Sequence, residues 1–212
     1  MNRYKKWLEL AHLDHKQYQE DAIRWCIQRE NDPKIRGGIL GDVMGLGKTF
    51  EMMGVIVQQF VTKTLIVVPP TLLPQWIEIL TKYLHPPLVW WGPNRTELTN
   101  NPITITTYGL LGEDKLQGVK WDRIIYEEAH HLRNSNTKQT KNACKLSTKI
   151  TWLVTGTPIQ NQVNDMYSLC KILKIPKDSY YKKIPEGSSV EFSPDMAQLQ
   201  DLEKNRVSRV QY

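Results

Sequence analysis

The sequence predicts an α/β fold, a mostly parallel central sheet with helices on both faces, and two observations predict it. Short apolar segments rich in β-branched residues and bounded by turn signals alternate with segments of helical period. One of the strands also runs through a glycine-rich turn straight into a helix, as in sheets that carry a phosphate loop.

The elements follow in order. Tyr18, Ala22 and Cys26 recur on one side of a helix near 15–29. Ile39 and Leu40 make a short strand, after which Gly41-Asp-Val-Met-Gly-Leu-Gly-Lys-Thr49 supplies a turn and a helix start. Phe50, Met53, Val57 and Phe60 carry the helical period onward and predict a helix over 48–60. Thr64 to Val68, Leu88 to Trp91, Ile103 to Thr107, Arg123 to Glu127 and Thr151 to Thr155 read as strands. Helices near 71–84, 138–147 and 162–173 separate or follow them. Beyond Ile175-Pro176 the pattern decays, with one polar helix expected from Met196 to Val210. The domain reading is an N-terminal extension over 1–12, one lobe over 13–175 and a polar appendage or continuation over 176–212.

Composition narrows the function classes. A chain of 212 residues buries a sizeable core but is too short for two full nucleotide-binding lobes. Its net charge of +6 is compatible with a nucleic-acid partner, although the excess is spread along the chain and decides little alone. Cys26, Cys144 and Cys170 have no metal-ligand spacing and read as reduced residues of an intracellular protein. No apolar stretch approaches membrane-spanning length and no signal core opens the chain, so a membrane role is not expected.

The chemistry concentrates at the strand ends. Backbone N–H groups around Gly45, Leu46 and Gly47 can face phosphate oxygens without a Cβ in the way, and the helix that follows adds its positive dipole end. Lys48 would bridge the β- and γ-phosphates of a nucleotide and Thr49 would hold magnesium. Downstream, Ile124-Ile-Tyr-Glu-Glu-Ala-His130 sets two carboxylates at the end of an apolar strand. Phosphoryl transfer needs one acid for magnesium and another for the attacking water, and Glu127 and Glu128 fit those roles in order. A third strand end, Leu153-Val-Thr-Gly-Thr-Pro-Ile-Gln-Asn161, forms a small turn bearing hydroxyl groups.

This ordered set resembles the first RecA-like lobe of superfamily 2 helicase-like ATPases, in the Swi/Snf-type branch that moves on DNA and remodels chromatin. The resemblance spans roughly 13–175. It implies ATP and Mg²⁺ as ligands, with Gln19 in Tyr18-Gln-Glu-Asp-Ala-Ile-Arg-Trp25 reading the adenine edge through its amide. It also implies that His130, Thr155, Gly156 and Thr157 couple the γ-phosphate to strand contacts. Those contacts would be non-specific backbone contacts to double-stranded DNA near Pro70, Thr71 and Thr107. Trp76, Trp90, Trp91, Trp121 and Trp152 are expected to be packing residues.

Departures from the family pattern shape the expectation. Val43 stands where an acid is usual, and Glu127 stands where Asp is usual, a change of one methylene expected to weaken catalysis. The family's second lobe supplies arginines from a Gln-x-x-Gly-Arg-x-x-Arg motif, whereas no glycine follows Gly187 in these 212 residues. Arginine fingers are worth about 10³ to 10⁵ in rate, so hydrolysis is expected to need a second RecA-like lobe, in cis or in trans. The family reading places the work in the nucleus or another site of DNA handling, a viral one included. A free-standing nucleotide-sensing module that acts on DNA or on another ATPase is the alternative. A helicase that unwinds RNA fits less well, because the run from Thr155 to Asn161 is that of the Swi/Snf branch.

Overall fold

The structure is a computed structural model, and it describes residues 1–34, 36–42, 45–93, 95, 97–98, 101–156, 163–175 and 209–210. Two helices open the chain, α1 (Asn2–Leu10) and α2 (Gln17–Glu30). β1 (Gly37–Leu40) then leads to α3 (Lys48–Gln58), and β2 (Thr64–Val68) to α4 (Leu73–Tyr83). After β3 (Leu88–Val89) and β4 (Ile103–Thr107) come the short α5 (Asp114–Gln117) and β5 (Lys120–Glu127). α6 (Lys138–Lys145), β6 (Ser147–Val154), α7 (Val163–Ile172) and β7 (Arg209–Val210) complete the order.

The sheet runs β3-β4-β2-β5-β6-β1-β7. Every pairing is parallel except that of β7, which lies antiparallel on β1. Parallel neighbours need crossovers, and the helices supply them on both faces. Alternation along each strand divides the core accordingly. Leu40, Ile66, Val68, Ile125, Trp152 and Val154 face α1 to α4, where Tyr4, Ile23, Met52, Met53 and Trp76 meet them. Ile39, Leu65, Val67, Ile124, Tyr126 and Leu153 face the other way, toward Leu116, Leu132, Ala143, Leu146 and Leu169. Strands buried on both faces have no polar side to show, which is why they read as continuous apolar runs.

Several expectations change in detail. α1 was not foreseen as a helix, yet Tyr4, Trp7 and Leu8 are buried at helical spacing, and the Trp7 indole donates to the carbonyl of Tyr83 at 2.6 Å. Tyr18 is 39% exposed, so α2 buries Ala22 and Cys26 as expected but adds Ile23 and Trp25 in place of Tyr18. Phe60 lies beyond the end of α3 and is 59% exposed, while Met52, Met53, Val55 and Ile56 form the buried face. Trp91 is 50% exposed and does not pack as the other four tryptophans do. β6 begins at Ser147, four residues before the expected start, because Ser147 and Thr148 continue the ladder onto Lys120 and Trp121. The helix expected over 196–210 fails at Arg209–Val210, which are strand, and its remainder lies outside the described residues.

A buried polar node binds the layers together. Arg123 at the start of the apolar part of β5 makes a two-pronged ion pair with Glu30 at the end of α2, at 2.6 and 2.5 Å. The indole N–H of Trp152 on β6 donates to the same carboxylate at 2.8 Å, and Arg123 also donates to the carbonyl of Gln59 after α3. Both members of the pair are fully buried.

Candidate functional site: the carboxyl ends of the sheet

Parallel strands deliver their C-terminal ends to one edge, and here the edge gathers three of the expected motifs. β1 and β5 are separated by β6, so the strands ending at Leu40, Val154 and Glu127 stand side by side. The N–H of Thr155 donates to the carbonyl of Leu40 at 3.1 Å, tying the turn after β6 to the start of the glycine loop. Thr155 is buried, Gly156 is half-buried, and Thr157 lies outside the described residues, as do Val43 and Met44.

The glycine loop takes the backbone that its residues allow. Gly45 and Gly47 both have left-handed φ, +89° and +84°, and Gly47 caps α3. A Cβ on Gly47 would come within 2.6 Å of Gln19 Nε2. That amide donates to the carbonyl of Leu46 at 3.1 Å, so Gln19, 7% exposed, holds the loop from behind. Lys48 is buried and its ammonium donates to the carbonyl of Asp42 at 2.8 Å, folding back across the loop. Thr49 is half-buried in the first turn of α3. Beside Gln19 a cavity of about 160 Å³ is lined by Tyr4, Trp7, Leu13, Lys16 and Phe50 among others.

The acidic pair divides into two environments. Glu127 is 6% exposed, and its Oε2 is buried without a hydrogen-bond partner. Burial first, and the neighbouring Glu128 second, push its carboxyl up to about 8, with Lys48 pulling the other way. An orphaned buried carboxylate oxygen within the field of a lysine is the kind of group that a divalent cation would satisfy, so the residues present fit magnesium. Glu128 sits at φ +52°, a left-handed value rare for a non-glycine residue, at the start of a 3₁₀ turn over Ala129–Leu132. This turns its side chain out of the strand, where Oε2 lies 3.0 Å from His130 Nδ1. His130 stacks on His131, which leans on Tyr108.

The expected strand contacts are placed less uniformly. Pro70 and Thr71 are exposed on the turn after β2, but Thr107 is 3% exposed at the end of β4. The exposed residue of that neighbourhood is Gly109 in the 3₁₀ turn Tyr108–Leu110. Sequence reasoning reached Tyr108 only as the end of the run Ile105-Thr-Thr-Tyr beside Thr107 and missed its phenol, which donates to the carbonyl of Glu127 at 2.7 Å. It also missed the Glu30–Arg123 pair behind the site. A larger cavity, about 260 Å³ over Trp90, Arg95 and Glu113, lies toward the β3 edge, away from these groups.

A SNF2-related domain model matches residues 18–204. The chain belongs to the SNF2-related family. Among solved structures, this SNF2-related chain is similar to the Sulfolobus solfataricus SWI2/SNF2 ATPase core in complex with dsDNA, with a TM-score of 0.72 and 26% identity. The match covers 92% of this chain and 44% of that one, and the lobe it corresponds to is the first. The fold is therefore that of a RecA-like lobe of Swi/Snf ATPases. An uncharacterized ATP-dependent helicase of Schizosaccharomyces pombe is 32% identical over 89% of this chain, and the mouse helicase-like transcription factor 33% identical over 67%. The chain spans only 22% and 16% of the length of those two relatives. The family that it shares with them has named members that include an ATP-dependent helicase and a SWI2/SNF2 ATPase core. No helix among the described residues is long and apolar enough to cross a membrane.

Proposed function

We propose that this lobe binds ATP with magnesium at the carboxyl edge of its sheet, as one half of a DNA-dependent translocase that works on double-stranded DNA without sequence preference. The observation that carries the reading is the buried Lys48 behind a left-handed Gly47, with the unpartnered Glu127 carboxylate inside its field.

Lys48 would exchange the Asp42 carbonyl for the β- and γ-phosphate oxygens, a charge-assisted contact stronger than the one it gives up. The N–H groups of Gly45, Leu46 and Gly47, at the N-terminus of α3, would surround the same phosphates. Thr49 and Glu127 would hold magnesium, which neutralises phosphate charge and orients the terminal group. Glu128, aimed out of the strand by its backbone, would take the proton of the attacking water as the bond to the γ-phosphorus forms and the bond to the β-γ bridging oxygen breaks. Gln19 and the cavity beside it would seat the adenine. His130, Thr155, Gly156 and Thr157 would couple the nucleotide to DNA held near Pro70, Thr71 and Thr107. Arginines from a second lobe would complete the charge stabilisation, and the setting would be the nucleus or another place where DNA is handled.

The test is binding of a fluorescent ATP analogue with magnesium, beside phosphate release with and without duplex DNA. Binding that is lost in Lys48→Ala, with negligible turnover, is the expected outcome. Binding indifferent to Lys48 would overturn the site assignment. Lys48-dependent turnover stimulated by DNA would overturn the requirement for a second lobe.

A further inference from the structure

We infer that Tyr108 is a positioning residue that carries DNA contact at the turn after β4 to the acid at the end of β5; this rests on the function proposed above. Three observations place it there. Tyr108 opens the 3₁₀ turn Tyr108–Leu110, and that turn reaches the surface at Gly109. β4 is bonded to β2 on the same edge, with Val68 opposite Thr107, so the exposed Pro70 and Thr71 extend from the strand next to it. From this outer position the Tyr108 side chain runs inward across β2, and its hydroxyl donates to the backbone carbonyl of Glu127 at 2.7 Å.

The connection is stiff. The phenol is buried and stacks near-parallel on Tyr126, ring centres 6.3 Å apart, and His131 packs on it at 5.4 Å. Its hydroxyl bonds a carbonyl between Glu127, whose carboxylate has an unpartnered oxygen, and Glu128, whose backbone is left-handed. That peptide unit sets the direction of both carboxylates. A displacement of the Tyr108 turn by a strand laid across it would reorient that peptide, because a packed interior transmits shifts instead of absorbing them. His131, next to His130, lies against the same ring and would move with it.

The coupling is reciprocal, so it is read as a change in nucleotide affinity on adding DNA. The experiment measures the dissociation constant of a fluorescent ATP analogue with magnesium on the 212-residue chain, with and without a short blunt duplex. Tyr108→Phe and Tyr126→Phe are measured alongside. Tyr126→Phe removes an equally buried hydroxyl, directed at the Ala143 carbonyl at 3.4 Å, and controls for loss of a phenol as such. DNA should change the affinity by roughly 5-fold or more in the unsubstituted chain and in Tyr126→Phe, and by a factor near one in Tyr108→Phe. Equal coupling in Tyr108→Phe, absence of coupling in the unsubstituted chain, or loss in both variants would overturn the inference. Amide hydrogen exchange over 127–131 gives a reading that needs no variant. Duplex DNA should slow it, and unchanged exchange would overturn the inference too. Failure of the underlying function is a separate result, binding that does not depend on Lys48.

Discussion

Single residues at the sheet edge hold unfavourable states that the surrounding fold enforces. Glu127 is the clearest case, its carboxyl pushed from 4.5 to about 8 mainly by burial. A carboxyl raised in the folded state favours its protonated form there, so the stability it contributes is fully present below 4.5 and is lost as pH rises through about 8. Glu127→Gln cannot titrate. Urea melts at pH 5, 7 and 9 should therefore show the unsubstituted chain losing stability relative to this variant, by at most about 4–5 kcal/mol. Parallel pH profiles for the two would show that Glu127 is ionised throughout. The glycine loop gives a second comparison. Gly45 and Gly47 share a left-handed backbone, but only a Cβ at Gly47 would strike Gln19. Gly45→Ala should cost about 1 kcal/mol of backbone strain, and Gly47→Ala visibly more, with nucleotide affinity lost as Gln19 is displaced. Equal costs would mean that Gln19 does not support the loop.

At the level of elements, the fully buried pair of Glu30 and Arg123 locks α2 to β5, and the indole of Trp152 adds β6. Arg123→Met would strand the Glu30 carboxylate, and denaturant unfolding should register a loss of about 3–5 kcal/mol. Replacing both residues by Met should recover part of it, since apolar groups of similar volume often match a buried ion pair, while the Trp152 indole N–H is left without its acceptor. A single substitution costing under about 1 kcal/mol would show that the pair is dispensable. How far such elements were legible depends on whether their signal is local. β2 and β4 appear over the residues expected, because β-branched runs with polar flanks specify a buried strand without outside help. The glycine loop, Lys48 and the acidic pair could be proposed from sequence for the same reason, each being a short stretch whose chemistry is self-contained. By contrast, the bonds from Glu30 join residues 93 and 122 apart, and the Tyr108 bond reaches a carbonyl 19 residues away. Nothing local announces such partners. A charged residue inside a strand or helix reads as exposed until its counterion is located. The α1 signal, Tyr4, Trp7 and Leu8, was present but short and set among lysines.

For the whole molecule, the function proposed above makes this lobe one wall of a cleft. The chain matches 44% of the Sulfolobus solfataricus core and smaller shares of its longer relatives. Joining it to a second lobe that carries the Gln-x-x-Gly-Arg-x-x-Arg motif should raise DNA-stimulated phosphate release at least ten-fold over the chain alone, a floor set well below the gain of about 10³ to 10⁵ for arginine fingers. No gain on joining the lobes would place the arginines elsewhere. The order of strands has a further consequence, for synthesis. β1 leads into the glycine loop, but its parallel partner is β6, with Gly37 opposite Thr151. A ribosome finishes β1 early and delivers β6 only after roughly 6–20 s more of elongation at ordinary rates. Throughout that interval the emerging chain holds its most glycine-rich stretch without the parallel strand that templates it. A nucleotide bound as proposed above would meet only the finished lobe, after the early stages of folding are over.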